Sequence, residues 1–138
     1  MNSQRRERKD AHIENYLKSK SRESTLLENV YIEHNAVSDV SLNEIDTSIE
    51  FMGRKIAMPL MVDAMTGGGS ASVNINEDLS SICESLSIPM AVGSEAIAIA
   101  DEESRDSFEL VKYKENLFRI GNLGFEREYE DFVFARDL

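Results

Sequence analysis

The stretch Pro59-Leu-Met-Val-Asp-Ala-Met-Thr-Gly-Gly-Gly69 decides the fold class, because it joins a short apolar run to a glycine-rich turn. Residues 59–64 form a nearly continuous apolar run, which is typical of a strand buried on both faces of a parallel sheet. A helical pattern follows the turn, and Asn76 is its predicted N-cap. The stretch therefore predicts a strand, a turn and a helix in succession.

The same succession is repeated further along the chain. Residues 88–92 and 117–120 are predicted strands, and residues 104–114 and 126–138 are predicted helices. Strands that alternate with helices indicate parallel β-α-β units and an α/β fold class. Three such units do not close an eight-stranded barrel, which takes about 250 residues. The pattern by itself therefore predicts parallel β-α-β units of an interrupted α/β fold.

The residues before this α/β unit have a different character. We predict an N-terminal unit over residues 1–58, followed by three βα units over residues 59–138. Within the first unit, residues 10–19 show helical spacing and residues 22–48 are polar and irregular. Residues 48–58 are predicted to form a hairpin.

Composition and charge narrow the class of protein. The chain has 138 residues, of which 41% are hydrophobic and 30% charged, as in soluble globular domains. No apolar run approaches the roughly 20 residues that span a bilayer, and residues 1–20 lack the apolar segment of a secretory signal. The single cysteine, Cys83, is expected to be a buried, unreactive thiol. These features predict a cytoplasmic protein without a membrane partner.

The charge is unevenly distributed along the sequence. The net charge is -11, yet residues 1–22 carry +4 and the remainder carries -15. An acidic body argues against nucleic-acid binding. The basic arm suits an anionic small molecule, and its alternative interpretation is a solvated terminus.

Glycine and small polar residues follow each predicted strand. The three strand ends are Asp63 to Gly69, Val92 to Glu95 and Gly121 to Gly124. Ligands of parallel α/β folds bind at the carboxyl ends of strands, and glycine allows a ring or phosphate to approach the backbone. A planar, polar-edged cofactor such as a flavin is therefore predicted here. Alternatively, Ser94 and Asn122 are helix N-caps and the glycines form an ordinary turn.

The motifs that carry a family resemblance run along nearly the whole chain. They are Arg8-Lys9-Asp10-Ala11-His12-Ile13, Ala64-Met65-Thr66-Gly67-Gly68, Ile75-Asn76, Ala91-Val92-Gly93-Ser94, Ser107-Phe108 and Asn122-Leu123-Gly124. In order and spacing they resemble the N-terminal portion of type 2 isopentenyl-diphosphate delta-isomerases.

The resemblance implies the first part of a TIM (β/α)8 barrel, with the barrel incomplete. It also implies an FMN-dependent isomerase of isoprenoid biosynthesis that interconverts isopentenyl and dimethylallyl diphosphate. It implies FMN, NADPH as reductant and Mg²⁺ as cofactors, a small-molecule diphosphate substrate and a homo-oligomer when full length. The FMN-contacting positions would be Ala64, Met65, Thr66, Gly67, Ser94 and Asn122. The substrate-binding positions would be Arg8, Lys9 and Ser94. His12 matches the motif and is expected to pack on a helix face.

The resemblance places no catalytic side chain and no metal ligand in this chain, since the reduced flavin serves as acid and base. Two positions depart from the family pattern: Glu95-Ala96 replaces Gln-Arg, and Asp63 replaces asparagine. We expect the 138-residue chain by itself to be inactive. The alternative function is that of an inactive fragment or a small anion-binding or interaction domain.

Overall fold

The computed structural model describes residues 2–20 and 24–138. Its helices are α1 (Asn2–Lys18), α2 (Ser70–Leu86), α3 (Ala96–Ala100), α4 (Asp106–Lys112) and α5 (Tyr129–Asp137), with short 3-10 helices at Leu27–Asn29, Leu42–Glu44 and Glu102–Ser104. Its strands are β1 (Ile49–Phe51), β2 (Arg54–Ile56), β3 (Met90–Ala91) and β4 (Arg119–Ile120). No helix of the described ranges is long and apolar enough to cross a membrane.

The predicted parallel order of the α/β unit is confirmed. Strands β3 and β4 pair in parallel, with Met90 opposite Arg119. Val62 forms a further parallel bridge to Met90, so three successive segments lie side by side with the same direction. The described residues form an α/β arrangement with two small sheets and no closed barrel.

The first predicted strand is shorter than the sequence indicated. Residues 59–64 contribute only the bridge at Val62, and the side chains of Leu60 and Met61 are 55% and 40% exposed. The expectation of burial on both faces is therefore wrong for this segment, because no element of the described chain covers its outer residues.

The N-terminal unit contains the predicted hairpin. Strands β1 and β2 are antiparallel, and Ile49 faces Ile56 across the turn at Met52 and Gly53. Helix α1 contains residues 10–18 of the helix predicted at 10–19 and begins earlier, at Asn2. The irregular segment predicted at 22–48 is largely confirmed over residues 24–48, while residues 22 and 23 lie outside the described ranges.

The core lies between the parallel strands and the helices α2, α3 and α4. Its buried residues are Cys83, Ile88, Met90, Val92, Ile97, Ala98, Phe108, Val111 and Leu117. Cys83 is fully buried, as predicted, and burial raises the pKa of its thiol. Helix α3 was not predicted, because five residues are too few to show helical periodicity.

The predicted role of Asn76 as an N-cap is wrong. Helix α2 starts at Ser70, directly after Gly69, so Asn76 lies well inside the helix. Its side chain is fully buried rather than at a helix end. Helix α2 therefore begins seven residues earlier than the sequence pattern suggested, directly after the glycine-rich turn.

Candidate functional site

The three strand-end loops meet along one edge of the parallel sheet. The Gly93 amide donates a hydrogen bond of 2.7 Å to the Thr66 carbonyl oxygen. The Glu95 amide donates one of 2.9 Å to the Asn122 carbonyl oxygen. Backbone hydrogen bonds thus hold the first loop against the second and the second against the third. The structure brings the predicted cofactor-contacting segments together.

The side chains at this edge differ in their availability to a ligand. Met65 and Asn122 are exposed, Ala64, Thr66 and Ser94 are half-buried, and Gly67 is buried. Within residues 2–20 and 24–138, neither the Ser94 hydroxyl nor the Asn122 side-chain amide has a hydrogen-bond partner. Both groups are therefore available to the polar edge of a ligand.

The alternative interpretation of Ser94 and Asn122 as helix N-caps is wrong. Helix α3 has Glu95 at its N-cap, and helix α5 has Glu128. Neither Ser94 nor Asn122 therefore caps the helix that follows its strand. Helix capping therefore does not explain the polarity of these two positions.

A buried polar network fixes the first loop beneath this edge. The Asn76 side chain donates hydrogen bonds to the carbonyl oxygens of Ser107 (2.8 Å) and Thr66 (3.4 Å), and it accepts one from the Thr66 hydroxyl. The Ser107 hydroxyl accepts a 2.7 Å hydrogen bond from the Gly68 amide. Helices α2 and α4 therefore hold the backbone of Thr66 and Gly68 in place.

Sequence reasoning missed this network, although one signal was present. Ser72, Asn76 and Ser80 recur every four residues along α2, and all three are buried. A repeat of small polar residues at helical spacing indicates a buried polar face rather than a helix end.

The glycines of the loops serve contacts within the protein. A Cβ atom on Gly68, whose φ is +81°, would overlap the Ile97 side chain. One on Gly93 would lie 2.7 Å from the Thr66 carbonyl oxygen. The expectation that these glycines make room for a flat ring is therefore wrong at both positions, because protein atoms already occupy that space.

The basic arm lies against the same edge. The Arg6 guanidinium pairs with Asp101 (Nε–Oδ2 3.0 Å) and with Glu103, just after α3. Lys9 is half-buried, and burial, followed by the nearby Arg8, lowers the pKa of its ammonium group. Neither Arg8 nor Lys9 forms an ion pair or hydrogen bond with another described residue. Lys9 thus lies beside Gly69 at the first strand end, whereas the Arg8 side chain is exposed on α1.

The expectation that His12 packs on a helix face is wrong. Its side chain is exposed, as are the apolar side chains of Tyr16 and Leu17 on the following turn. The partly buried side chains of α1 lie between Arg5 and Ile13, and the rest of the helix beyond Ile13 is exposed.

Glu95 is the one buried carboxylate at this edge among the described residues. It is 4% exposed, and its Oε2 atom has no hydrogen-bond partner in the described chain. Burial raises the pKa of its carboxyl group to about 7, although the hydrogen bond involving Asn122 acts in the opposite direction. Glu95 also lines a cavity of about 460 Å³ between β4, α4 and α5. This cavity lies beside the predicted cofactor contacts and does not include them.

The donor set at the strand ends fits one edge of a flavin. Ser94 and Asn122 supply unpartnered polar groups, and Ala64 and Met65 supply apolar surface beside them. No group of three His, Cys, Asp or Glu residues suited to a metal ion occurs in residues 2–20 and 24–138.

Comparison with known proteins gives one consistent result. The chain is 41% identical over 107 residues to an isopentenyl-diphosphate delta-isomerase of Archaeoglobus fulgidus, which is 77% of this chain and 31% of the relative. This chain is similar to isopentenyl-diphosphate delta-isomerases. An isopentenyl-diphosphate delta-isomerase of Methanocaldococcus jannaschii is 38% identical over 73% of the chain and 28% of its own length. The isopentenyl-diphosphate delta-isomerase of Chlorobium chlorochromatii is 38% identical over 86% of this chain and 34% of its own length.

These comparisons confirm the resemblance to isopentenyl-diphosphate delta-isomerases that the sequence motifs indicated. The chain spans about a third of the length of the curated relatives it matches. No family model matches the sequence.

Proposed function

We propose that this chain supplies the N-terminal portion of an FMN-dependent enzyme that interconverts isopentenyl diphosphate and dimethylallyl diphosphate. Residues 1–58 form the arm and hairpin, and residues 59–138 form the first three βα units of a TIM barrel. NADPH is the proposed reductant of the flavin, and Mg²⁺ the proposed partner of the diphosphate. The similarity to the named isomerases supports this assignment.

One observation of the structure carries the proposal. Lys9 of α1 packs beside Gly69 at the end of the first strand loop, and backbone hydrogen bonds join that loop to the loops that carry Ser94 and Asn122. The substrate has an anionic diphosphate, and the flavin has a planar ring with a polar edge. A site for both needs this combination of groups on adjoining surfaces.

Each group has a distinct proposed role. Ala64, Met65, Thr66 and Gly67 contact the flavin, with the Asn76 network holding Thr66 in place. Ser94 and Asn122 offer hydrogen bonds to the flavin edge, and Ser94 also faces the substrate.

The diphosphate is held by the arm. Arg8 binds its oxygens through a planar fork of donors, and Lys9 adds a compact positive charge. When bound, the reduced flavin supplies the acid and base that move a proton across the allylic system.

Two variants separate the proposed substrate contact from the proposed flavin contact. Residues 1–138 are joined to the remaining length of the Archaeoglobus fulgidus relative, and isomerase activity is measured with FMN, NADPH and Mg²⁺. Arg8→Ala should raise the KM for the diphosphate substrate about tenfold or more, because a charge-assisted contact is lost, and should leave flavin content unchanged. Asn122→Ala should lower flavin occupancy first.

The matched control is Lys20→Ala, which removes one positive charge beyond the end of α1 and should change neither quantity. Equal loss of flavin in Arg8→Ala would contradict the assigned role of Arg8. A chimaera that binds FMN and remains inactive with both diphosphates would contradict the proposed activity.

A second candidate function is a small anion-binding domain, because the arm is anchored to the body by contacts within this chain alone. An absorbance spectrum of the isolated chain with added FMN, together with a hydrophobic-dye titration, separates the candidates. The isomerase assignment predicts dye binding and little FMN binding, since Phe125 and Met65 are 90% and 74% exposed. A chain that binds pyrophosphate tightly and takes up no dye would favour the small domain.

A further inference from the structure

The N-terminus of α2 is capped by a side chain from the arm. The Asp10 carboxylate accepts hydrogen bonds from the Ser70 amide (3.3 Å), the Ser70 hydroxyl (3.0 Å) and the Ala71 amide (3.2 Å). The first amides of a helix have no partner within the helix, and they attract negative charge. Helix α2 has Gly69 at its N-cap and no acidic residue in its first turn, so the cap comes from sixty residues away.

Gly69 makes room for this contact. A Cβ atom at this position would overlap the Asp10 carboxylate and lie 3.3 Å from the Lys9 Cβ atom. The backbone conformation of Gly69 does not itself need glycine, since its φ is -100°. The absence of a side chain is therefore explained by the close approach of the arm.

A second contact fixes the direction of the arm. One helical turn before Asp10, Arg6 pairs with Asp101, whose side chain is 10% exposed. Partly buried ion pairs are less screened by salt than exposed ones. The arm is therefore attached at two points, at the start of α2 and just after α3, and Arg8 and Lys9 lie between these points in the sequence.

We infer that Asp10 is a positioning residue, which docks the basic arm on the N-terminus of α2 and so holds Lys9 beside Gly69 at the end of the first strand loop, with Arg8 next to it on the exposed face of α1. Gly69 is the complementary position that makes docking possible. The identification of a diphosphate as the ligand of these cations rests on the proposed function, whereas the docking of the arm does not.

Docking and simple charge effects predict opposite results for anion binding. Asp10 is an acidic residue next to the two cations, so its removal would strengthen anion binding if charge alone mattered. If Asp10 positions the cations, its removal weakens anion binding instead. Glu14 is a matched control, because it is an acidic residue one turn further along α1 that pairs, among the described residues, with Lys18 alone.

The first measurement is amide hydrogen exchange by NMR on the full chain. The Ser70 and Ala71 amides should exchange about tenfold faster or more in Asp10→Ala, since a charged hydrogen bond is lost. Asp10→Asn retains one acceptor oxygen and should give an intermediate rate. Glu14→Ala should leave both rates unchanged. Unchanged Ser70 and Ala71 exchange in Asp10→Ala would overturn the docking inference.

The second measurement is a titration of the same proteins with inorganic pyrophosphate. Binding is followed by the NMR chemical shifts of the Arg8 and Lys9 backbone amides. We expect the Kd to rise about tenfold in Asp10→Ala and to stay equal or fall in Glu14→Ala. A fall in both variants would overturn the positioning role. If the unsubstituted chain bound no pyrophosphate, the diphosphate role of the arm would fail, while the exchange rates would still decide the docking.

Gly69→Ala tests the same contact from the other side. It should accelerate exchange of the Ser70 and Ala71 amides as Asp10→Ala does, because its methyl group displaces the carboxylate. Gly124→Ala is the control, since no other atom lies within 4 Å of a Cβ built there. Slow exchange in Gly69→Ala would contradict the assigned role of Gly69.

Discussion

Glu95→Gln is expected to increase the free energy of unfolding by about 3 kcal/mol at pH 8 and to have little effect at pH 4.5. The Glu95 carboxyl group is 4% exposed, and its Oε2 atom has no hydrogen-bond partner in the described chain. Burial of this kind disfavours the charged form and raises the pKa from its usual 4.5 to about 7. Glutamine has nearly the same shape without the charge.

The direction of the pH effect follows from proton binding. The folded protein holds the Glu95 proton up to a pH of about 7, whereas the unfolded chain releases it near 4.5. Between these values the folded state binds more protons, so stability falls as pH rises. The destabilising effect of the carboxylate is absent below pH 4.5, grows through this window and is complete above pH 7.

The cations that line the same cavity do not neutralise Glu95. The Lys112 ammonium donates to the Asp137 carbonyl oxygen, and the Arg119 guanidinium donates to the Lys112 carbonyl oxygen at 2.6 Å. Arg136 pairs with Asp137 at 2.8 Å. Each of these cations therefore already has a partner other than Glu95.

Urea unfolding at pH 4.5, 6 and 8 checks the Glu95 prediction, with Glu126→Gln as an exposed control of the same chemistry. The stability difference between Glu95→Gln and the unsubstituted chain should grow with pH, and that for Glu126→Gln should stay close to zero. A difference for Glu95→Gln that is the same at all three pH values would mean that the carboxyl group is hydrated.

The order of strands and helices could be predicted because its signals are local. The apolar runs at 88–92 and 117–120 and the helical spacing between them are visible within short windows. The sequence also predicted that the segments of Thr66, Ser94 and Asn122 meet at one edge, since parallel strands end on the same side of a sheet. These parts of the site needed no knowledge of long-range contacts.

The rest of the site depends on contacts between distant residues. Asp10 caps a helix that begins sixty residues later, and Gly69 is small because of the arm rather than a cofactor. In the sequence Glu95 is one more polar residue at a strand end, yet in the structure its side chain is buried. Local patterns identify the chemical type of a residue and not the atoms that surround it.

Asn76→Ala is expected to lower the free energy of unfolding by about 3 kcal/mol. The substitution removes hydrogen bonds to the Ser107 and Thr66 carbonyl oxygens and leaves the Thr66 hydroxyl without its acceptor. It also leaves a void, because the Asn76 side chain is fully buried. Buried polar groups without partners retain their desolvation cost, so this loss exceeds that of a surface hydrogen bond.

Urea unfolding of Asn76→Ala beside Asn74→Ala measures the effect of the network. Asn74 is an exposed asparagine in the same helix. Its substitution by alanine therefore changes the helix propensity by the same amount as Asn76→Ala and leaves the buried hydrogen bonds intact. Because Asn76 holds Thr66, amide exchange of Gly93, which donates to the Thr66 carbonyl oxygen, should also accelerate in Asn76→Ala only. Equal stability of the two variants would show that water replaces the Asn76 side chain. Unchanged Gly93 exchange would show that the Thr66 loop is held by the sheet rather than by α2.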